Sequence, residues 1–161
     1  MLPVAFLAHP GPLSLPRKDS LVISGRPDGS GREQILVVDD EPVVRQFACR
    51  VLERAGYGIE AAADGAEALQ IVLARPKAFA AVVSDIVMPR LNGVELMEAL
   101  SVSHPELPFI LMSGYATTQL AERGIAAPCS VLGKPFAAEA LLSEVRRCLD
   151  RTSPGRTSTV A

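Results

Sequence analysis

The chain has 161 residues, of which 48% are hydrophobic and 21% charged, and a formal net charge of −2. These values suit one ordinary domain with a real core, and they exclude a wholly disordered chain and a globally basic nucleic-acid binder. No run approaches the ~18 consecutive apolar residues of a membrane-spanning helix, and no Lys or Arg precedes Arg17, so neither a membrane anchor nor a secretory signal is expected.

In chain order, residues 1–32 come first. Thirteen of these positions are Pro, Gly or Ser, and the segment lacks a sustained helical or strand period, so it reads as a disordered N-terminal extension. Residues 33–150 form the expected folded unit, with ten basic and sixteen acidic side chains. Residues 151–161 hold five Ser or Thr and no acid, and read as a disordered C-terminal tail. Both ends are mildly basic and the domain is acidic.

Ile35–Val38 is a continuous apolar run ending at Asp39–Asp40, which suits a strand covered on both faces. A helix should follow from Pro42, with Val43, Val44, Phe47, Val51, Leu52 and Ala55 as its apolar face and Gly56 as its stop. Tyr57–Ala61 is a weaker, more polar strand. Asp64 with Glu67 makes a capping pattern for a helix through Leu69, Val72 and Leu73, stopping at Pro76. Ala80–Ser84 is a second buried strand, ending at Asp85. Asn92 with Glu95 caps a helix carrying Val94, Leu96, Met97 and Leu100. Pro108–Met112 is a third buried strand, ending at Ser113. Residues 117–123 can form a short helix. Cys129–Leu132 is a short last strand ending near Lys134. After Pro135–Phe136 comes a helix with Leu141, Leu142, Val145 and Leu149 on one face.

Five strands alternating with five helices predict an α/β fold, an open parallel sheet with helices on both faces. Ligand sites in such sheets lie beyond the carboxyl ends of the strands. Asp39, Asp40, Asp85, Ser113 and Lys134 all fall at those ends. Three carboxylates brought together repel one another and need positive charge. Lys134 supplies one charge, and Mg²⁺ is the natural hard cation for the rest. A hydroxyl and an ammonium facing such a site suit a tetrahedral anion, and the reaction that fits is phosphoryl transfer to an Asp carboxylate. The three cysteines read as small buried hydrophobes in a reducing cytoplasm, with no disulfide framework expected. His9 and His104 have no ligand partner at metal-binding spacing.

These residues resemble the receiver domain of bacterial two-component response regulators. Ile35-Leu36-Val37-Val38-Asp39-Asp40-Glu41 resembles its acidic first-strand motif. Ser84-Asp85-Ile86-Val87-Met88-Pro89 with Asn92-Gly93 resembles the phosphoacceptor loop. Met112-Ser113-Gly114-Tyr115 resembles the hydroxyl motif, and Gly133-Lys134-Pro135-Phe136 the lysine motif. The resemblance covers about residues 33–150. It implies a doubly wound, flavodoxin-like (βα)5 fold of five parallel strands in the order 2-1-3-4-5.

The resemblance also implies roles. Asp85 would accept a phosphoryl group from a phosphohistidine on a sensor histidine kinase or phosphotransfer protein. Asp40, Asp85 and the backbone carbonyl of Val87 would coordinate Mg²⁺ directly, and Asp39 mostly through a water. Ser113, the Gly114 N–H and Lys134 would hold phosphoryl oxygens, and the Lys134–Pro135 bond would be cis. One position departs from the family. Receivers usually carry an aromatic switch residue three positions before the lysine, where this chain has Val131. Tyr115 is the nearest aromatic substitute, so Ser113, Tyr115 and Val131 are the switch candidates. Val87 and Tyr115 carry no group suited to orienting a hydrolytic water, so a long-lived phosphoaspartate is expected.

With eleven residues after position 150, a stand-alone cytoplasmic receiver without direct DNA or membrane binding is expected. It would not be an enzyme beyond its own aspartyl phosphorylation and dephosphorylation. It would signal by phosphorylation-dependent contact with an unidentified output protein, with a homodimer left open. Two alternatives stand beside this reading. One is a degenerate receiver that binds without phosphorylation. The other is an aspartyl-phosphate phosphatase, which would need a second acid where Val87 stands.

Overall fold

Two apolar residues side by side in a strand point to opposite faces, so a run such as Ile35-Leu36-Val37-Val38 needs cover on both sides. The computed structural model, which describes residues 32–114 and 128–152, shows that cover. Strands β1 (Gln34–Val38), β2 (Gly58–Ala62), β3 (Ala81–Asp85), β4 (Phe109–Ser113) and β5 (Ser130–Gly133) form one sheet in the order β2-β1-β3-β4-β5. Every neighbouring pair is parallel. Helices α1 (Pro42–Arg54), α2 (Gly65–Ala74), α3 (Gly93–Ser103) and α4 (Ala138–Thr152) cover it. The expected fold class and strand order are both present. The helix expected over 117–123 lies outside the described residues, as do the expected disordered ends 1–32 and 151–161 apart from Arg32, Arg151 and Thr152, of which the last two belong to α4.

The alternation builds two cores. On one face Ile35, Val37, Val83, Ile110 and Met112 meet Ala48 and Leu52 of α1 and Leu141 and Val145 of α4. On the other, Leu36, Val38, Val82 and Leu111 meet Val72 of α2 and Leu96 and Leu100 of α3. Each such Val, Leu, Ile or Met side chain, fully removed from water, contributes roughly 1.5–3 kcal/mol.

Local chemistry sets most element ends. Gly56, at φ 99°, takes the left-handed turn that ends α1. Asp64 caps α2 by accepting the Glu67 N–H at 2.9 Å. Asn92 and Glu95 form a full capping box on α3.

Two expectations need correction. The apolar face assigned to α1 is rotated. Ala48 and Leu52 are its buried residues, while Val43 is 80% exposed and Phe47 42% exposed. The docking stripe follows the i, i+4 row through Val44, Ala48 and Leu52, where the small Ala48 lets the helix approach the sheet. Val43 and Phe47 occupy the next row, and the Phe47 ring instead meets Phe136, with centroids 5.9 Å apart.

The second correction concerns the cysteines. Cys129 and Cys148 are joined by a disulfide, with Cα atoms 5.9 Å apart, and Cys49 is free. Helix α4 runs back along β5, which brings its last turns to the strand's start, within the ordinary span of a bridge. Cys148 is fully buried as expected, but Cys49 and Cys129 are only half-buried.

Candidate functional site

Parallel strands present all their carboxyl ends on one rim, so residues far apart in sequence meet there. Asp39 follows β1, and Asp85 and Ser113 close β3 and β4. Lys134 follows β5. Carboxylate oxygens of Asp39, Asp40 and Asp85 lie within 4.8 Å of one another. Asp39 and Asp85 are buried and Asp40 is exposed.

Asp39 is held on several sides. One carboxylate oxygen accepts the Glu41 N–H at 2.9 Å, and the other accepts the Lys134 ammonium at 2.9 Å. Its carbonyl accepts from the Arg45 guanidinium at 2.6 Å. The Lys134 Nζ also lies 3.3 Å from an Asp85 oxygen and 3.9 Å from Glu41.

The Asp85 backbone is fixed as firmly. Its carbonyl accepts the Ser84 hydroxyl at 2.9 Å, and the next residue, Ile86, donates its N–H to Met112 at 3.0 Å. Gly93 donates its N–H to the Ile86 carbonyl at 2.9 Å. A Cβ at Gly93 would stand 2.1 Å from the Asp85 carbonyl oxygen, so this close approach of α3 requires glycine.

Burial first, and then the charge of Asp39, raise the Asp85 pKa against the opposing pull of Lys134. Burial works against the Lys134 ammonium, but hydrogen bonding and charge from Asp39 and Asp85 outweigh it and raise its pKa. Three carboxylates against one ammonium leave two negative charges, which one divalent cation would cancel. The donors are hard oxygens, one set exposed at the mouth and two beneath it, so the cluster fits such a cation.

The remaining expected residues divide. Ser113 is half-buried, and its carbonyl accepts the Lys134 N–H at 2.7 Å. Gly114 is exposed, with open space where a Cβ would stand. The Lys134–Pro135 bond is cis. Val87 sits on the loop after β3, 68% exposed. Val131 does not join the cluster. It pairs with Leu111 across β4 and β5 and packs against the core under α2 and α3. Tyr115 lies outside the described residues.

The supporting contacts of Arg45, Ser84 and Gly93 were not read from the sequence. Nor was the ion pair between Asp64 and Arg90, whose φ of 69° places it in the left-handed region. Gly93, next to a helix cap, was the one with a legible signal.

Residues 35–146 match the response regulator receiver domain family. The chain is 38% identical over 125 residues to the sensor kinase CckA of Brucella abortus (strain 2308), covering 77% of this chain and 13% of that protein. It is 41% identical over 123 residues to the response regulator MprA of Mycobacterium sp. (strain KMS), covering 75% of this chain and 52% of that one. The chain thus spans about half or less of the length of these curated relatives. Among solved structures, the Vibrio cholerae chemotaxis protein CheY4 superposes with a TM-score of 0.67 at 30% identity, covering 73% of this chain and 98% of that one.

Proposed function

This chain belongs to the response regulator receiver domain family, and on that premise we propose that Asp85 accepts a phosphoryl group from a phosphohistidine and that the resulting phosphoaspartate carries a signal. The observation that carries the reading is the Asp85 carboxylate itself. It is buried at the end of β3, within 4.8 Å of two further carboxylates and 3.3 Å from the Lys134 ammonium.

In the proposed step an Asp85 oxygen attacks phosphorus. The O–P bond forms as the N–P bond of the phosphohistidine breaks, and the imidazole leaves with its proton. The protein's part is positioning and charge stabilisation. Asp39 anchors Lys134, which would transfer one of its contacts to a phosphoryl oxygen. The Ser113 hydroxyl and the Gly114 N–H would take the others. Mg²⁺, held by Asp40, Asp85 and the Val87 carbonyl with Asp39 behind a water, would neutralise the charge gathered there.

Chemistry on its own Asp85 is all the catalysis proposed. The donor is a sensor histidine kinase or a phosphotransfer protein, in the cytoplasm. Exposed Val43 and Phe47 on α1 and Val87 after β3 suit docking by such a protein. No helix among the described residues is long and apolar enough to cross a membrane. The exposed Val87 offers no group to orient water, so the phosphoaspartate should persist for minutes; a half-life of seconds would contradict this.

The test is incubation with acetyl phosphate and Mg²⁺. Wild type should gain the mass of one phosphoryl group and Asp85→Asn should not. No gain on a natively folded wild type overturns the reading.

A further inference from the structure

The sulfur bridge stands at the far end of β5 from the proposed acceptor site. β5 is a four-residue strand that, among the described residues, lies at the sheet's edge and pairs with β4 alone. Its start is held by the Cys129 N–H on the Phe109 carbonyl at 2.8 Å, and its end by the Lys134 N–H on Ser113 at 2.7 Å. The Ser130 hydroxyl donates to Glu144 of α4. The bridge from Cys129 to Cys148 spans 19 residues and closes a covalent ring through β5, Lys134, Pro135 and most of α4. Lys134 therefore lies inside the stapled unit.

The bridge is reachable. Both cysteines line a surface cavity of about 390 Å³, together with Pro108, Phe109, Pro128 and Arg151. Cys148 is fully buried and Cys129 half-buried, so the bridge is approached from the Cys129 side. Exchange needs a path from solvent to the sulfurs, and the cavity supplies one.

We propose that Cys129–Cys148 is a reversible thiol–disulfide exchange site for dithiol reductants, and that its state sets how well Lys134 serves Asp85. The second half rests on the phosphoacceptor reading above. A dithiol loses one proton and attacks the Cys129 sulfur. The S–S bond breaks, and Cys148 leaves and takes up a proton. The second thiol of the reductant then displaces Cys129, which is protonated in turn. Two electrons pass to the protein, and the reductant ends as its own disulfide. The bridged form holds the edge strand and is the faster acceptor. The dithiol form frees the start of β5 from α4 and is the slower one.

The experiment uses the full chain, with dithiothreitol as probe. After denaturation and alkylation, the oxidised chain should show one reactive thiol, Cys49, and the chain treated with dithiol in its native state should show three. Phosphoryl uptake from acetyl phosphate and Mg²⁺ should fall about fivefold on reduction, the lower range of a coupling between sites. Cys129→Ser should take up phosphoryl at the slow rate with or without dithiol, and Cys49→Ser should behave as wild type. Three reactive thiols in the air-oxidised chain, or a bridge untouched by native dithiol, overturn the proposal. So do equal uptake rates in the two wild-type states, a comparison independent of whether Cys129→Ser folds. Absence of uptake in both states overturns the phosphoacceptor reading, and the coupling falls with it.

Discussion

The Asp85 carboxylate costs the fold stability at neutral pH, because burial and the Asp39 charge both disfavour its ionised form. Its folded pKa lies above its unfolded value. The group therefore stabilises the fold in acid, and that contribution is lost as pH rises through the raised pKa. In a chelating buffer, Asp85→Asn should melt above wild type at neutral pH, with the gap closing as pH falls into the ordinary carboxylate range. A wild type that melts higher at neutral pH would refute this. Gly93 makes the second residue-scale prediction. A methyl group there has nowhere to go but into the Asp85 carbonyl, so Gly93→Ala should cost about 2 kcal/mol in denaturant titrations and slow phosphoryl uptake. Asp39, Asp40, Asp85, Ser113 and Lys134 were all legible as strand-end residues. Arg45 on the Asp39 carbonyl was not, since nothing in a helix's first turns says where its side chains reach.

At the scale of elements, the helix starts are the most local devices in the chain. Asn92 and Glu95 satisfy each other's backbone N–H groups, so Asn92→Ala should lower stability by about 1 kcal/mol with an unchanged denaturant slope. A loss below a few tenths would show that packing of Val94, Leu96 and Met97 holds α3 without its cap. Capping pairs were readable because they span four residues. The face of α1 was not, because Val43, Val44, Phe47 and Ala48 offer two adjacent apolar rows and only the sheet's shape selects one. Val131 shows the same limit. Its position before Lys134 was clear, but its packing beside Leu111 follows from strand pairing.

At the scale of the whole molecule, the sheet is one layer shared by two cores. Ile35 and Leu36 are neighbours in β1, yet they serve opposite cores. Ile35→Ala and Leu36→Ala should each cost about 3 kcal/mol. Each variant should still unfold in one transition seen alike by circular dichroism and tyrosine fluorescence. Two separated transitions would mean that the cores melt independently.

The sequence by itself determined the alternation of strands and helices, the positions of the caps and the charged residues at strand ends. Those signals are carried by apolar periodicity and by side chains acting on backbone a few residues away. Taken with the family resemblance, they were enough to anticipate the strand order and the gathering of Asp39, Asp40, Asp85 and Lys134 at one rim. Only the tertiary structure decided which row of α1 docks, that Arg90 reaches Asp64, and that Cys129 and Cys148 are bonded. Each of these depends on the distance between groups brought together by packing, and sequence spacing holds no record of that distance.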